Sequence, residues 1–210
     1  MTTHYSAGSD TVAFARQTWA GLRVLLVLTV LLGFVYPLAV TGIAQVAFPW
    51  QAQGSLVSST GERVTSRDDA AGSLLIGQGF DGPEWFHPRP SAAGDGYDTL
   101  ASAGSNLGPF NADLLAAIEE RRTAVADAEG IDPADVPVDA LTASGSGLDP
   151  DISPEYAQLQ VARVARERGL SPDEIRELVD DATVGRDLGV LGEPRVNVLH
   201  LNLALHTMAS

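Results

Sequence analysis

Two residue types are missing from this 210-residue sequence: it has no cysteine, and all 13 of its basic residues are arginine because lysine is absent as well. The lack of cysteine excludes disulfides, thiolate metal sites and cysteine nucleophiles. The lack of lysine excludes a Walker-type phosphate loop, and also the lysine that a P-type ATPase needs beside its phosphorylated aspartate. This chain therefore does not itself hydrolyse nucleotides by those routes.

Positive charge is scarce overall, with 27 acidic residues against the 13 arginines. A nucleic-acid partner is not expected, because phosphate binding needs a basic surface.

Catalytic motifs are also missing: no serine has the Gly-x-Ser-x-Gly spacing, and the four histidines, at positions 4, 87, 200 and 206, form neither a metalloprotease pattern nor a close pair. We expect no catalytic residue, no metal ligand and no bound cofactor in this chain.

One long segment carries no charge at all, from Val24 to Gly61. Its apolar part, residues 24–48, exceeds the roughly 20 residues that cross a bilayer as a helix and the roughly 7–15 of a signal peptide. Trp19 and Trp50 bracket it about 45 Å apart, at the two interfaces where tryptophan is enriched. Cleavage after the small residues "GIA" (42–44) is the alternative; we predict a permanent single transmembrane helix at 24–48.

The orientation of this helix follows from its flanks. Arg16 and Arg23 against Asp10 place the flank 1–23 in the cytoplasm, by the positive-inside rule. The domain 49–210 is then extracytoplasmic, and its 26 acidic residues against 11 arginines give a formal charge of −15. This charge either draws cations toward the domain or only keeps it soluble.

Small or polar residues recur at every fourth position of the apolar helix, on one face where a second membrane helix can approach closely. These packing candidates are Thr29, Gly33, Pro37 and Thr41.

The outer domain is predicted to be of the α+β class, with three to four helices and a few short strands. Capping residues predict a helix at Ala112–Glu129, between Asn111 and Gly130, and helices that begin after Ser153 and after Ser171, the latter with Glu174 in a capping box. Apolar runs predict strands within 73–80 and 136–141, and at Val196 and Val198 before a terminal helix.

Two loops have unusual composition. Residues 81–110 are rich in Gly, Pro, Ser and Asp, yet Trp85, Phe86 and Tyr97 predict that this long loop is ordered. Within it, His87 is interpreted as a structural hydrogen-bonding residue, with a catalytic base as the alternative. The "TASGSGLDP" segment (142–150) either cradles an anion through backbone N–H groups or forms a tight turn.

These segments carry a family resemblance. "YPLAVTG", "FPWQAQGSL", "SLLIGQGF", "WFHPRPSA", "SAGSNLGP", the run from "VPVDAL" to "RERGL", and "VNVLHLNLAL" follow one another in this order. The chain resembles the C subunit of the Kdp-type potassium-transporting P-type ATPase along nearly its whole length from the membrane helix onward. Pro88 and Ala103 stand where the family usually has glycine, which affects only local loop geometry.

The resemblance implies a complex in the inner (plasma) membrane, with a channel-like subunit that binds potassium and a P-type subunit that hydrolyses ATP on the cytoplasmic side. This chain would be the accessory subunit needed for assembly and activity, while the other subunits handle potassium and ATP. One hypothesis for the family is that the "SGSGLDP" segment helps to bind ATP. The predicted topology opposes that hypothesis, because it puts the segment outside the cell.

The family segments also indicate where the outer domain docks on the channel-like subunit. The candidate docking residues are Gln78, Phe86, His87, Arg89, Pro90, Ser105, Asn106, Ser146, Gly147, Leu148 and Asp149. Two alternatives stay open at this point: an anchored hydrolase that uses His87, Asp95 and Asp98, and an anchored solute-binding module.

Overall fold

A computed structural model describes residues 7–208, except for the side chains of residues 7–10. The chain divides into two compact units, of which the first ends at Gln53 and the second begins at Gly54. The start of the predicted flank 1–23 and the end of the predicted domain 49–210 lie outside the described residues.

The first unit is helical. Its elements are α1 (Ala7–Val30), a π-helical turn (Leu31–Val35), α2 (Tyr36–Ala47) and the short α3 (Pro49–Ala52). Within it, Thr11–Ala47 is a helix long and apolar enough to cross a membrane. The large apolar side chains along this stretch are exposed, which a bilayer or neighbouring membrane helices would accommodate and water would not.

The π-helical turn has a cause in the sequence. The Tyr36 N–H donates to the Leu31 carbonyl, five residues back, directly before Pro37. Pro37 has no N–H, and in a regular α-helix its ring would clash with the Gly33 carbonyl. The wider turn relieves that clash, as is usual for such bulges.

The bulge also bears on the predicted packing face. In a regular α-helix every fourth residue drifts by about 40° around the axis, because a turn holds 3.6 residues. A π-helical turn holds more residues and removes part of this drift, so Thr29, Gly33, Pro37 and Thr41 stay nearer to one face. Their contact with a partner helix stays a prediction.

The second unit is a mixed domain, and the α+β prediction is confirmed. Its elements are β1 (Leu56–Val57), β2 (Gly72–Ser73), α4 (Ala112–Glu129), a 3₁₀ turn (Pro133–Asp135), α5 (Val138–Leu141), β3 (Asp151–Ile152), α6 (Pro154–Arg168), α7 (Pro172–Ala182), β4 (Thr183–Val184), β5 (Arg195–Asn197) and α8 (Val198–Met208). Three to four helices were expected; between Gly54 and Met208 there are five, of which α5 is a single turn.

The strands form two small antiparallel sheets. One pairs β1 with β2, and the other has the order β3-β5-β4, with Val196 of β5 opposite both Ile152 and Thr183. Helices α6, α7 and α8 contact β5, and α6 and α8 both pack on α7. The fully buried side chains between them include Val164, Ile175, Val179, Val196, Leu201 and Leu205.

The predicted helix ends are confirmed by their caps. The Asn111 side chain accepts hydrogen bonds from the N–H groups of Asp113 and Leu114, and Gly130 ends α4 in the left-handed conformation. Ser153 caps α6, and Gly169 ends it. In the Ser171 capping box of α7, the hydrogen bonds from the Ser171 hydroxyl and N–H lower the pKa of the Glu174 carboxyl.

Two strand predictions are wrong. In the 73–80 segment only Ser73 is in a strand, because its hydroxyl accepts the Leu75 N–H and the chain turns there. In the 136–141 segment the structure has helix α5, which Pro137 precedes and whose Ala140 and Leu141 are buried. The third strand is shorter than predicted: it includes Val196, and Val198 already begins α8.

Candidate functional site

The long loop is ordered where predicted, and two buried amide side chains hold it. Asn202 of α8 accepts the Phe86 N–H and donates to the Phe86 carbonyl, both at 2.9 Å. Gln160 of α6 accepts the His87 N–H at 2.7 Å and donates to the His87 carbonyl at 3.1 Å. We call residues 83–87 the pinned segment, since its backbone is bonded in the way a neighbouring strand would bond it.

A buried arginine completes this hold. The Arg163 side chain is 3% exposed and pairs through Nε with Glu129 Oε1 at 2.8 Å, Glu129 being 4% exposed. Its Nη1 donates to the carbonyls of Pro83 and Trp85, and its Nη2 to Gln160 Oε1. Arg163 therefore ties α4, α6 and the pinned segment into one body.

One further arginine acts at the edge of the pinned segment. Arg168 Nε donates to the Glu84 carbonyl at 3.0 Å, and its guanidinium lies 4.1 Å from the centroid of the Trp85 ring. This cation–π contact covers one face of the Trp85 ring, which is half-buried.

Residues 89–106 and 142–150 come together as a second feature, the two-loop platform. Arg89 Nη1 contacts Asp149 Oδ2 at 2.7 Å, and Arg89 Nη2 donates to the Thr142 carbonyl. The Ser91 hydroxyl donates to the Gly147 carbonyl at 2.7 Å, and the Ser102 hydroxyl to the Ser146 carbonyl at 2.9 Å. Four of the docking candidates, Arg89, Ser146, Gly147 and Asp149, thus belong to one structure.

Tyr97 and Gly147 form the centre of the platform. The Tyr97 hydroxyl donates to the Arg89 carbonyl. Burial, and then the nearby Asp149 carboxylate, raise the pKa of Tyr97, so it stays a neutral donor. Gly147 has φ 67°, and a Cβ there would lie 2.7 Å from atoms of Ala93 and Ala103. Only glycine allows the two loops to approach this closely.

The remaining docking candidates are distributed unevenly. Phe86 and Leu148 are buried, and Gln78, His87 and Pro90 are half-buried. Ser105 and Asn106 are exposed, in a segment that we call the exposed loop, residues 99–110. Every residue of this loop except Gly104 is exposed, including Leu100 at 96% and Phe110 at 94%.

The exposed loop is nevertheless held in place. Its first part, residues 99–106, belongs to the platform, where the Ser102 hydroxyl donates to the Ser146 carbonyl. There Gly104 passes so close to Gly145 that an added Cβ would lie 3.0 Å from the Gly145 carbonyl oxygen. Asn106 has a positive φ of 54°, and its Nδ2 donates to the Gly104 carbonyl at 3.1 Å.

Two of the three residues considered for catalysis, His87 and Asp98, make structural hydrogen bonds. His87 Nε2 lies 2.8 Å from the Gly82 carbonyl, so this nitrogen acts as a donor and is not a free base. Asp98 accepts the Leu100 N–H, and Asp95 is exposed. Between residues 7 and 208, no group of three or more His, Asp or Glu side chains is arranged to hold a metal ion.

Several polar groups of the Gly/Ser segment and of the polar cavity beside it are bonded within the domain. The Gly147 N–H donates to the Ser144 carbonyl, and the Leu148 N–H to the Ser146 hydroxyl. A cavity of about 510 Å³ is lined by carboxylates that already accept bonds from protein groups, namely Asp139 from Ser153, Asp149 from Arg89, Asp151 from Asn197 and Glu193 from Arg186. Burial raises the pKa of Asp151 above its ordinary value.

Sequence reasoning missed Gln160, Arg163 and Asn202. The available signal was a polar residue on the apolar face of a helix: Gln160 lies between Ala157 and Val164, and Asn202 between Val198 and Leu205. A polar side chain at such a position has to satisfy a buried partner.

The chain matches the family model described as KdpC, K+-transporting ATPase, c chain, over residues 18–207. The potassium-transporting ATPase KdpC subunit of Kineococcus radiotolerans is 58% identical over 194 residues, which cover 92% of this chain and 95% of that one. The corresponding subunit of Beijerinckia indica is 52% identical, with 86% and 88% covered. That of Mycobacterium tuberculosis H37Rv is 54% identical, with 90% and 97% covered.

The first prediction concerns the pinned segment. Gln160→Leu leaves the His87 N–H and carbonyl and one Arg163 donor without their buried partner, which should lower the free energy of unfolding by about 3 kcal/mol. Gln158→Leu on the same helix removes only an exposed hydrogen bond to Asp180 and should cost less than about 0.5 kcal/mol. Denaturant unfolding of the detergent-solubilised chain measures both; equal losses would contradict the role of Gln160.

The second prediction concerns the platform. Gly147→Ala forces alanine into a left-handed conformation and against Ala93 and Ala103, which should cost about 2–4 kcal/mol of stability. Gly145→Ala is the matched control, because a Cβ there meets nothing within 4 Å and its φ is not positive. Thermal unfolding should separate the two variants clearly, and similar melting temperatures would show that the loops do not need the close approach.

Proposed function

The chain belongs to the KdpC family, the c chain of the K+-transporting ATPase, and on that premise we propose that its outer domain docks on the channel-like, potassium-binding subunit of the complex. The chain is an accessory subunit of this membrane complex, and the site of ATP hydrolysis is on another chain. How the subunit contributes is the question that the geometry addresses.

The exposed loop is the observation that carries the proposal. Ordering a segment costs conformational entropy, and exposing Leu100 and Phe110 to water forgoes their burial. Neither cost is compensated within the domain, where both side chains are more than nine-tenths exposed. A binding surface explains both, because a preformed loop loses little further entropy when its apolar side chains are buried by a partner.

The proposed topology supports the same arrangement. Arg16 and Arg23 lie near the start of the apolar helix, and the stretch from Val24 to Gly61 is uncharged. With the flank 1–23 inside and the helix at 24–48, the domain 49–210 faces outward, where its net charge of −15 raises the local concentration of cations. At physiological salt this effect is limited to about 8 Å, so it acts only where the domain sits close to the ion path.

The proposed partners are therefore the channel-like subunit through the outer domain, and the lipid bilayer and a membrane helix of the complex through the apolar span. The P-type subunit is a partner through the complex as a whole. We do not propose ATP binding by the Gly/Ser segment, since its N–H groups at Gly147 and Leu148 are already bonded within the loop.

The orientation is testable because the chain has no cysteine of its own. Single thiols at Asp127→Cys, on the exposed face of α4, and at Ser9→Cys, in the N-terminal flank, report the two sides of the membrane. In intact cells stripped of their wall, a membrane-impermeant maleimide should label Asp127→Cys directly and Ser9→Cys only after permeabilisation. The reverse pattern would exclude docking from outside.

Docking through the exposed loop predicts a loss of assembly on polar substitution. Phe110→Ser and Leu100→Ser should each weaken association by about tenfold or more, because burying one such side chain stabilises a complex by about 1.5–3 kcal/mol. Val138→Ser changes another exposed apolar residue, on α5, and serves as the control. The measurement is the amount of the other subunits that co-purifies in mild detergent; equal recovery for all three variants would contradict this docking surface.

A further inference from the structure

Besides the exposed loop, a second projecting segment with apolar side chains lies near the C-terminal end of the sequence, in the hairpin between β4 and β5. Beyond the Val184–Arg195 pair the chain extends as a loop that closes on itself, with the Asp187 N–H donating to the Leu191 carbonyl at 2.8 Å and the Leu191 N–H to the Asp187 carbonyl at 2.9 Å. Arg186 and Glu193 form an ion pair across its base. We call residues 187–191 the hairpin tip.

The hairpin tip is strained at a leucine. The Val190 N–H donates to the Asp187 carbonyl, and the two central residues of this turn, Leu188 and Gly189, both have positive φ, of 53° and 77°. Turns of this kind favour asparagine, aspartate or glycine at the first of these positions. A leucine there is destabilising, because its Cβ crowds the following carbonyl oxygen, and asparagine, aspartate or glycine tolerates this conformation better.

The same leucine contributes nothing to the core. Leu188 is 90% exposed, Val190 73% and Leu191 57%. Three large apolar side chains within four residues, one of them in an unfavourable backbone conformation, lower the stability and solubility of the domain. Backbone strain and exposed apolar side chains at one place indicate a binding function, because neither feature stabilises the folded domain.

Charge decides between the surfaces that the tip could enter. A bilayer surface with anionic lipids attracts arginine, lysine and aromatic residues. Residues 185–194 contain no aromatic residue, and their two acidic residues, Asp187 and Glu193, outnumber the single arginine, Arg186. A second copy of this chain that paired tip to tip would place Asp187 and Glu193 of one copy near the same acidic residues of the other, so like charges would lie beside the contact. A different protein with an apolar pocket and a neutral or basic rim meets neither obstacle.

We infer that the hairpin tip is a second docking element, which inserts Leu188, Val190 and Leu191 into an apolar pocket with a neutral or basic rim on the channel-like subunit. This inference rests on the proposed docking of the outer domain, and it uses residues separate from the exposed loop. Two separate contacts would fix the rotation of the domain on its partner, which a single contact does not.

The strained turn provides a sharp test, because the fold and the interface prefer different residues at position 188. Leu188→Asn suits the turn and removes the apolar group, so the melting temperature of the chain should stay the same or rise while co-purification of the other subunits falls by about tenfold. Leu188→Met keeps a large apolar side chain of similar volume and should keep normal co-purification. Normal recovery of the complex with Leu188→Asn would overturn the inference.

The full-length chain is co-expressed with the other subunits in each case, and Phe110→Ser is measured beside the hairpin variants. If Phe110→Ser weakens assembly and Leu188→Asn does not, the docking proposal stands and the hairpin inference fails. If neither variant weakens assembly, both fail.

A fluorescent probe separates the other surfaces. Because the chain has no cysteine, Val190→Cys can carry one environment-sensitive dye at the tip. The dye emission should shift to the blue only when the other subunits are present. A blue shift in liposomes that contain this chain alone would show insertion into lipid or pairing of copies, and would overturn the inference.

Discussion

The buried guanidinium of Arg163 is the interaction on which the second unit, which begins at Gly54, depends. Its pairing with Glu129 joins α6 to the end of α4, and its remaining donors bind carbonyls of the pinned segment and Gln160. Removing one partner of such a buried pair typically costs about 3–5 kcal/mol, because the other charge is left without compensation. The pinned segment then leads directly into Arg89 and the platform, so the position of the exposed loop follows from this one buried network.

The sequence predicted the elements whose ends carry local signals. Helices α4, α6 and α7 begin and end at the capping residues expected for them, since a cap depends only on a few neighbouring residues. The 136–141 segment was misassigned because its β-branched residues favour a strand, whereas burial of Ala140 and Leu141 against the rest of the domain selects a helical turn. Burial against distant parts of the domain cannot be read from the six residues of this segment alone.

The candidate site was predictable in part for a similar reason. Family segments identified Arg89, Gly147 and Asp149, which the structure brings together, yet the contact joins residues about 60 positions apart and no spacing rule reports it. Phe86 stands out in the same segments but fills the core. In the membrane helix, Pro37 indicated an irregularity, while the π-helical form of that irregularity follows from the whole turn around Gly33.

The way the pinned segment is held has a consequence for evolution. Gln160, Asn202, Arg163 and Arg168 grip backbone atoms of residues 83–87, so most side chains of that segment take no part in the hold. Substitutions there can accumulate as neutral drift, provided that the four gripping side chains are kept and Phe86 still fills its place. Divergent relatives should therefore keep the backbone path of this segment after most of its residues have been replaced. The residues under selection for that path lie on α6 and α8, far from the segment in the sequence.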